Sequence, residues 1–398
     1  MSDTPWLTII GIDEDGPEGL PPASRAALES ADLIAGASRH LSLIEGIGAG
    51  ERLVWPVPFA DGVPKLLAHR GRRVVMLASG DPFWFGAGAV LARHLDAGEW
   101  QVLPAPSTFS RAAGVMGWPL ECVTCLGLHA APLTRLRPHL APGARLIVLL
   151  RDGAAVAELA ALLTGWGFGG SALTVLESLG GPRQRARRVT ASAYALDAAH
   201  PVAVAIQVAG KGAVIPRAPG LPDDFFDHDG QITKRPVRAL TLAALAPRPG
   251  ELLWDIGAGS GSVGIEWLLS HSANRAIGFE ADHSRAARAR ANAAALGVDR
   301  LEIREGRAPE VLDGAPNPDA VFIGGGLSAG LLDRLTALLP GTRIVANAVT
   351  LESETLLAGA QAAHGGSLLR IDLAEAAPLG RLRGWQPARP IVQWSVVL

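Results

Sequence analysis

The sequence predicts an α/β protein in which two different α/β domains follow one another. Its length of 398 residues suggests two or three domains. Short apolar strands alternate with helical segments along the chain, which is typical of α/β folds with largely parallel sheets. The stretch 211–229 combines prolines with an acidic cluster and has neither a helical nor a strand period. We therefore predict a first domain over residues 1–212, a linker over 213–222 and a second domain over 223–398.

The first half opens with a strand over 7–11 that runs into a glycine-containing turn. A helix is predicted over 21–35, because prolines begin it and Gly36 follows it, as helix ends prefer. The remaining predicted elements of this half are strands over 73–78, 100–104, 145–150 and 201–208 and a helix over 112–117.

The second half follows a βαβαβ order after a first helix over 233–246. Its predicted strands cover 252–256, 275–280, 301–305, 320–323 and 343–346, with helices over 262–269 and 282–296. The last segment, 390–398, is predicted to be an antiparallel closing strand.

Residues 252–261 organise the second half, since an apolar strand ends there in an acid and turns through alternate glycines into a helix. Glycine permits positive φ angles and a close approach of the backbone to a ligand. The N-terminus of the following helix offers unpaired N–H groups to a polar or anionic ligand.

Two cofactors are compatible with this turn. Gly259-x-Gly261-x-x-Gly264 satisfies the dinucleotide-binding pattern. Asp255, followed by glycines that start at Gly257, instead resembles the S-adenosylmethionine (SAM) loop of Rossmann-like methyltransferases. The acid that ends the next strand, Glu280, is placed to accept ribose hydroxyl groups of either cofactor. We favour SAM, and an ordinary strand–helix turn does not account for so many glycines.

The composition bounds the possible partners. Basic and acidic residues nearly cancel, with 36 against 38, so no overall charge attracts nucleic acid or a membrane. Two cysteines in so long a chain favour a reducing compartment. The N-terminus lacks a basic-then-apolar pattern and the sequence shows no uninterrupted apolar run of spanning length, so we expect neither a signal peptide nor a membrane span. We expect a cytoplasmic protein that binds neither nucleic acid nor a membrane.

The second half resembles the decarboxylating precorrin methyltransferases, a branch of the class I SAM methyltransferases. The resemblance covers nearly its whole length and is carried by Ile232-Thr233-Lys234 with Arg238, the 255–264 loop, Glu280, the 305–310 segment, Phe322-Ile323-Gly324-Gly325-Gly326, and Asn347 with Thr350-Leu351-Glu352.

The first half resembles the tetrapyrrole (uroporphyrinogen-III-like) methylase family, whose domain is a two-lobed α/β fold. The matching residues are the Gly11 turn, the 31–36 segment with Arg39-His40, Ser79-Gly80-Asp81-Pro82, Pro106-Ser107-Thr108 and Leu126-Gly127-Leu128-His129. One position departs from the pattern, because Asp13 stands where the family usually has glycine.

The two resemblances together imply an enzyme that methylates a reduced precorrin at C5 and C15 with SAM and decarboxylates the ring C acetate. They imply two SAM sites per chain and a homo-oligomer. SAM binding is carried over to Gly11, Gly80, Asp81, Ser107 and Thr108 in the first half and to Thr233, Gly257, Ala258, Gly259, Ser260, Gly261, Glu280 and Ala308 in the second. Substrate binding is carried over to Gly324, Gly325, Gly326, Asn347, Arg381 and Arg383. No metal and no catalytic side chain are assigned.

Several of these residues have a plain structural alternative. Thr233 could instead cap the helix that follows it, Asp81-Pro82 is a good helix start, and Gly324–Gly326 could be a tight turn. Arg381 and Arg383 could lie on a solvated surface, as we expect for Arg183, Arg185, Arg187 and Arg188. Cys122-x-x-Cys125 with His129 invites a zinc interpretation, but a fourth ligand is missing nearby and small core residues explain the cysteines better.

Two other functions compete with this interpretation. An RNA methyltransferase would carry a basic face and an aromatic platform, whereas this chain is near neutral with 5% aromatic residues. A SAM sensor or scaffold would bind SAM without transferring a methyl group to any tetrapyrrole.

Overall fold

The computed structural model describes residues 5–398, which form two compact units. The first unit comprises the chain up to Leu133 and His139–Ala213. The second comprises Thr134–Pro138 and Val214–Leu398. Each unit has hydrophobic cores of its own.

The first lobe of the first unit is a parallel sheet in the order β3-β2-β4-β1-β5. Its strands are β1 (Leu7–Ile12), β2 (Leu33–Gly36), β3 (Glu51–Val54), β4 (Val74–Ser79) and β5 (Trp100–Leu103). The accompanying helices are α1 (Pro22–Ser30), α2 (Ser38–Leu43), α3 (Gly62–Leu67) and α4 (Ala87–Leu91).

The helix predicted over 21–35 is wrong in its second part, because α1 ends at Ser30 and β2 follows. Leu33, Ile34 and Ala35 are fully buried and pair with β4. A central strand needs apolar side chains on both faces, and this requirement outweighs the local helical preference of the segment.

The second lobe of the first unit has the sheet order β6-β7-β10-β8-β9. Its elements are α5 (Thr108–Met116), β6 (Thr124–Gly127), β7 (Arg145–Leu150), α6 (Ala154–Leu163), β8 (Ala172–Glu177), β9 (Arg185–Thr190) and β10 (Val202–Gln207). Strands β6 and β7 are parallel, whereas the three other pairings are antiparallel. The expectation of largely parallel sheets is therefore wrong for this lobe, since buried antiparallel strands show the same continuous apolar runs.

The second unit is a sheet of seven strands in the order β13-β12-β11-β14-β15-β19-β16. Its strands are β11 (Leu252–Ile256), β12 (Arg275–Glu280), β13 (Glu302–Glu305), β14 (Ala320–Ile323), β15 (Arg343–Ala348), β16 (Ser367–Ile371) and β19 (Ile391–Val397). Its helices are α7 (Arg235–Leu245), α8 (Ser262–Ser270), α9 (His283–Ala295), α10 (Ala329–Thr336) and α11 (Leu351–His364). A separate hairpin joins β17 (Ala374–Leu379) to β18 (Leu382–Pro387).

Strands β11 to β15 are mutually parallel, and β19 runs antiparallel to β15, which confirms the predicted closing strand. The carboxyl ends of parallel strands meet at one edge of the sheet, where open α/β folds bind ligands. Asp255, Glu280, the Gly324–Gly326 loop and Asn347 all lie in or directly after such strand ends.

The predicted linker belongs to the fold of the second unit. Ile215 and Leu221 are buried in its core. The backbone N–H groups of Gly220 and Leu221 donate to the buried carboxylate of Glu266 at 2.6 and 3.0 Å.

Candidate functional site

The glycine loop of the second unit turns sharply between β11 and α8. Gly257, Gly259 and Gly261 have φ angles of 70°, 57° and 75°, a region that glycine adopts readily. The N–H groups of Gly257 and Ala258 donate to the carbonyl of Phe279 at 2.9 and 3.2 Å, which fixes the loop against β12. Helix α8 begins at Ser262, as predicted, so its N-terminus faces the turn.

Two of these glycines serve different purposes. A Cβ atom on Gly257 would lie 2.7 Å from the backbone nitrogen of Gly325, so its absence lets the Gly324–Gly326 loop approach. A Cβ atom on Gly259 would have no neighbour closer than the carbonyl oxygen of Gln231 at 3.8 Å. Gly259 therefore borders open space at the sheet edge.

Two acids, Glu280 and Asp255, accept hydrogen bonds from backbone N–H groups in and near this loop. The Glu280 carboxylate accepts hydrogen bonds from the N–H groups of Gly259 at 2.8 Å and Asp282 at 2.9 Å. Asp255 accepts one from the N–H of Gly264 at 2.9 Å. Burial raises the pKa of Asp255 to about 7, and the charge of nearby Glu280 adds to the effect.

These residues fit a SAM molecule. The space beside Gly259 is open to the cofactor, and Glu280 at the neighbouring strand end suits the hydroxyl groups of its ribose. The N-terminus of α8 suits the polar methionine part of SAM. The hydroxyl of Ser260 is buried and has no hydrogen-bond partner within residues 5–398, so it has bonding capacity left for a ligand.

The remaining candidates of the second unit have mixed surroundings. Thr233 does not cap α7, whose N-cap is Lys234, and its carbonyl instead accepts a hydrogen bond from Arg238. Half-buried Ala308 follows β13. The N–H of Gly324 donates to the carbonyl of Ile256 at 2.9 Å, which joins its loop to the glycine turn.

Asn347 and the two late arginines differ in how far their side chains are already engaged. The Asn347 amide donates to Thr241 at 2.9 Å and accepts from Gln393 at 2.9 Å, so part of its bonding capacity serves the fold. Arg381 lies in the turn between β17 and β18, and Arg383 lies on β18. Both arginines are exposed.

The first unit contains a cavity of about 500 Å³. Asp81, Ser107 and Thr108, which the family resemblance assigns to SAM binding, line it. Gly11 and Gly80 lie behind this wall, where the Gly80 N–H donates to the carbonyl of Ile12 at 3.0 Å. A Cβ atom on Gly11 would lie 1.9 Å from the carbonyl oxygen of Gly80, so the close approach at Gly11 is one of backbone to backbone.

Two lining residues also shape the backbone locally. The Ser107 hydroxyl caps α5 by accepting a hydrogen bond from the N–H of Ser110 at 3.1 Å. Asp81 accepts from the N–H of Phe83 at 2.8 Å in a turn, and α4 begins only at Ala87. The alternative of Asp81 as a helix cap is therefore wrong.

Sequence reasoning missed a polar network in the cavity wall, although it quoted Arg39-His40 as part of a motif. Arg39 donates to Glu14 and, at 2.8 Å, to the hydroxyl of Ser79. Nε2 of His40 lies 2.9 Å from the same hydroxyl. Burial lowers the pKa of His40 to about 3, with a further contribution from the charge of Arg39, so this histidine is neutral.

Asp13 is also part of the cavity wall and pairs with Arg111 of α5, whose Nε donates to it at 2.8 Å. Burial raises the pKa of Asp13, while the hydrogen bond from Arg111 opposes the shift. Asp13, which stands where the tetrapyrrole methylases usually have glycine, thus links the end of β1 to α5.

The expected solvated hairpin face is exposed at Arg183, Arg185 and Arg188, whereas Arg187 is half-buried. Arg185 and Arg187 both donate to the buried carboxylate of Glu177, at 2.7 and 3.0 Å. Arg183 donates to Glu14 at 3.1 Å. A charged side chain at the end of a buried strand needs partners, and the arginines supply them.

Cys122 and Cys125 are free thiols. Within residues 5–398, His, Cys, Asp and Glu side chains form no group of three that could hold a metal ion. His129 lines the cavity, and Cys125 packs against the core of the second lobe.

Among residues 5–398, no helix combines the length and the apolar character needed to cross a membrane.

Comparison with known proteins assigns both halves to families. Residues 7–195 match the tetrapyrrole (corrin/porphyrin) methylases, and residues 224–398 match the precorrin methyltransferase domain. Over 397 residues the chain is 50% identical to the precorrin-6Y C(5,15)-methyltransferase [decarboxylating] of a Sinorhizobium species, covering 98% of this chain and 96% of that protein.

Two partial relatives match shorter stretches. Over 142 residues the chain is 37% identical to the probable cobalt-precorrin-6B C(15)-methyltransferase (decarboxylating) of Pyrobaculum calidifontis, covering 34% of this chain and 72% of that protein. The crystal structure of the C-terminal domain of precorrin-6Y C5,15-methyltransferase from Rhodobacter capsulatus is 57% identical, covers 46% of this chain and 100% of that one, and has a TM-score of 0.45.

Proposed function

This chain belongs to the precorrin-6Y C5,15-methyltransferase (decarboxylating) family, and on that premise we propose how its two units divide the chemistry. The enzyme is a SAM-dependent C-methyltransferase of cobalamin biosynthesis. The names of full-length relatives support methylation at C5 and C15 together with decarboxylation. The family resemblance further implies that the substrate is a reduced precorrin, that the group decarboxylated is the ring C acetate at C12 and that the product is precorrin-8.

The second unit carries the C15 methylation and the decarboxylation, and the first unit carries the C5 methylation. The Pyrobaculum relative supports a division of the two methylations, since its name joins C15 methylation to decarboxylation without C5 methylation in a protein that matches about a third of this chain. The observation that carries the proposal is that each unit has its own candidate ligand site, the open space beside Gly259 in one and the cavity of about 500 Å³ lined by Asp81 in the other. Each chain thus has two SAM sites.

In the second unit, the 257–261 loop, Glu280, Thr233 and Ala308 hold SAM, which supplies an electrophilic methyl group on a sulfonium. The loop of Gly324, Gly325 and Gly326 leaves room for a flat macrocycle. The N–H of Gly324 anchors the loop to the carbonyl of Ile256, and the N–H groups of Gly325 and Gly326 bind the carboxylates of the macrocycle. Further polar groups at the rim of the macrocycle are bound by Asn347, Arg381 and Arg383. The guanidinium group of an arginine matches a carboxylate with two parallel hydrogen bonds. In the first unit, the corresponding SAM site is lined by Asp81, Ser107 and Thr108, and Gly11 and Gly80 allow the backbone behind them to pack closely.

The reaction asks little of individual side chains. The nucleophile is an electron-rich carbon of the reduced macrocycle, so the protein contributes position and exclusion of water. During decarboxylation the bond between the acetate methylene and its carboxyl carbon breaks, and the electron pair passes into the macrocycle. A proton added at the methylene carbon then takes back this electron pair as a new C–H bond, which leaves a methyl group.

We place the enzyme in the cytoplasm as a homo-oligomer, with the domain limits at 1–212 and 223–398. Residues 213–222 connect the two domains, and from Val214 onwards they pack with the second. Incubating the full chain with a reduced precorrin and SAM tests the proposed function. The product mass is expected to rise by two methyl groups and fall by one carbon dioxide. A chain that binds SAM but returns the precorrin unchanged would be a sensor or scaffold.

A further inference from the structure

Phe85 has a backbone conformation that bulky residues rarely adopt. Its φ angle is 58°, in the left-handed region, although it is not a glycine. It comes three residues after the Ser79–Pro82 loop, of which Ser79 and Asp81 line the first-unit cavity. Such strained residues persist where the surrounding structure holds them, and they concentrate at binding sites.

Two residues of the second lobe hold the Phe85 ring in place. A Cβ atom on Gly127 of β6 would lie 2.6 Å from the ring, so the ring occupies the space that the missing side chain leaves. The ring centroid lies 5.8 Å from that of Phe109 on α5, in a tilted arrangement. This contact explains why the Leu126–His129 motif has glycine at position 127, because a side chain there would collide with the Phe85 ring.

Phe85 as a whole residue is nevertheless 51% exposed, and it lines the cavity. Trp84 lies beside it in the same wall and is 38% exposed, with its ring centroid 5.1 Å from that of Phe109. Stability alone does not explain a strained backbone that presents an aromatic ring to water, since burial of that surface would be favourable. A ligand with a flat apolar face would cover both rings.

We propose that Phe85, held by Gly127 and flanked by Trp84, is the platform on which the macrocycle face of the precorrin lies in the first unit. This inference rests on the proposed function of that unit. A reduced tetrapyrrole carries its carboxylates at the rim and an apolar face between them, so aromatic rings bind the face and leave the rim to polar groups. Phe85 is thereby a substrate-positioning residue for methylation at C5.

The experiment compares Phe85→Gly with Phe83→Gly in the full chain. Glycine accepts the backbone angle of residue 85, so that variant loses the ring and keeps the turn. Phe83 belongs to the same loop but stacks on Trp100 at 5.2 Å and does not line the cavity, which makes it the matched control. A third variant, Gly127→Ala, displaces the ring without removing it.

Loss of the ring is expected to raise the KM for reduced precorrin in C5 methylation about tenfold, with kcat nearly unchanged. The affinity for S-adenosylhomocysteine and the C15 methylation stay at wild-type values. Gly127→Ala raises the same KM, and Phe83→Gly does not.

An unchanged KM in Phe85→Gly, with wild-type C5 methylation intact, overturns the platform alone. Equal losses in both phenylalanine variants, together with weaker S-adenosylhomocysteine binding, overturn it as well, because they indicate general damage to the loop. A wild-type chain that forms no C5-methylated product refutes the proposed function of the first unit, and the platform falls with it.

Discussion

Gly259 is the residue on which the proposed SAM site of the second unit depends most directly. Its φ of 57° disfavours any side chain, and the space beside it is open. Gly259→Val should therefore abolish SAM binding at one of two sites and lower the free energy of unfolding by roughly 1–2 kcal/mol. Calorimetry with S-adenosylhomocysteine measures the number of sites.

The matched control for this prediction is Gly250→Val. Gly250 also has a positive φ, 87°, and its Cβ position is open, but it lies in the turn before β11. It should show a similar loss of stability with both sites retained. Two sites in Gly259→Val would refute the assignment of the loop.

His40 gives the cavity wall a pH dependence of known sign. Its pKa is about 3 in the fold against 6.5 in the unfolded chain, so the unfolded state binds the extra proton first. The stability that it contributes is present above pH 6.5 and is lost as the pH falls towards 3, with a slope of about 1.4 kcal/mol per pH unit. Denaturant titrations across this range measure the slope.

His40→Asn removes this titration and keeps a polar side chain of similar size. Other groups titrate in the same window, among them Asp255, whose raised pKa acts in the opposite direction. They affect both proteins equally, so the difference between the two slopes reports His40. Identical slopes would contradict a neutral, buried His40.

Residues of the two sites differ in how far sequence predicts them. The glycine loop and Glu280 are local features of one strand–turn–helix unit and its neighbour, so their pattern is visible in the sequence. The Arg39 network depends on Glu14 and Ser79, which lie 25 and 40 positions away, and on Arg183, which lies 169 positions from Glu14. Packing of the lobes brings them together, and no local pattern encodes it.

At the scale of elements, β8 and β9 are joined by a buried carboxylate. Glu177 accepts hydrogen bonds from Arg185, from Arg187 and from the N–H of Ala199 at 2.8 Å. Glu177→Gln keeps the volume but removes the charge, and should lower the free energy of unfolding by about 2 kcal/mol. Thermal and denaturant unfolding measure the change.

Glu158→Gln is the control, because Glu158 is exposed on α6 and its contact with Arg151 is long, at 3.5 Å. Exposed pairs of this kind contribute little, so the control should be near neutral. Equal effects of the two substitutions would show that burial of Glu177 does not matter.

Sequence predicts an element best when the elements that pack against it are also its neighbours along the chain. The parallel strands β11 and β12 with α8 between them follow from periodicity and glycine positions. The sequence does not reveal strand β2, because its short run of buried apolar residues fits the end of α1 equally well. The hairpin of β17 and β18 is almost wholly exposed and shows no core-facing alternation that a sequence could reveal.

For the whole molecule, the proposal of a homo-oligomer is checked by sedimentation. We expect a species larger than one chain at micromolar concentration. This expectation comes from family resemblance, so a monomer would refute it while leaving the two sites untouched. Activity measured on the same samples separates assembly from catalysis.

The central claim is that the two units divide the chemistry, and separated units test it most directly. A second fragment should start at Val214, since Ile215 and Leu221 pack in the core of that unit. Mass spectrometry follows reduced precorrin and SAM after incubation with residues 214–398, with residues 1–213, and with both in turn. We predict that the second fragment adds one methyl group and releases carbon dioxide, while the first adds the other methyl group only. Carbon dioxide released by the first fragment, or carboxylates left unmodified by the second, would contradict the account.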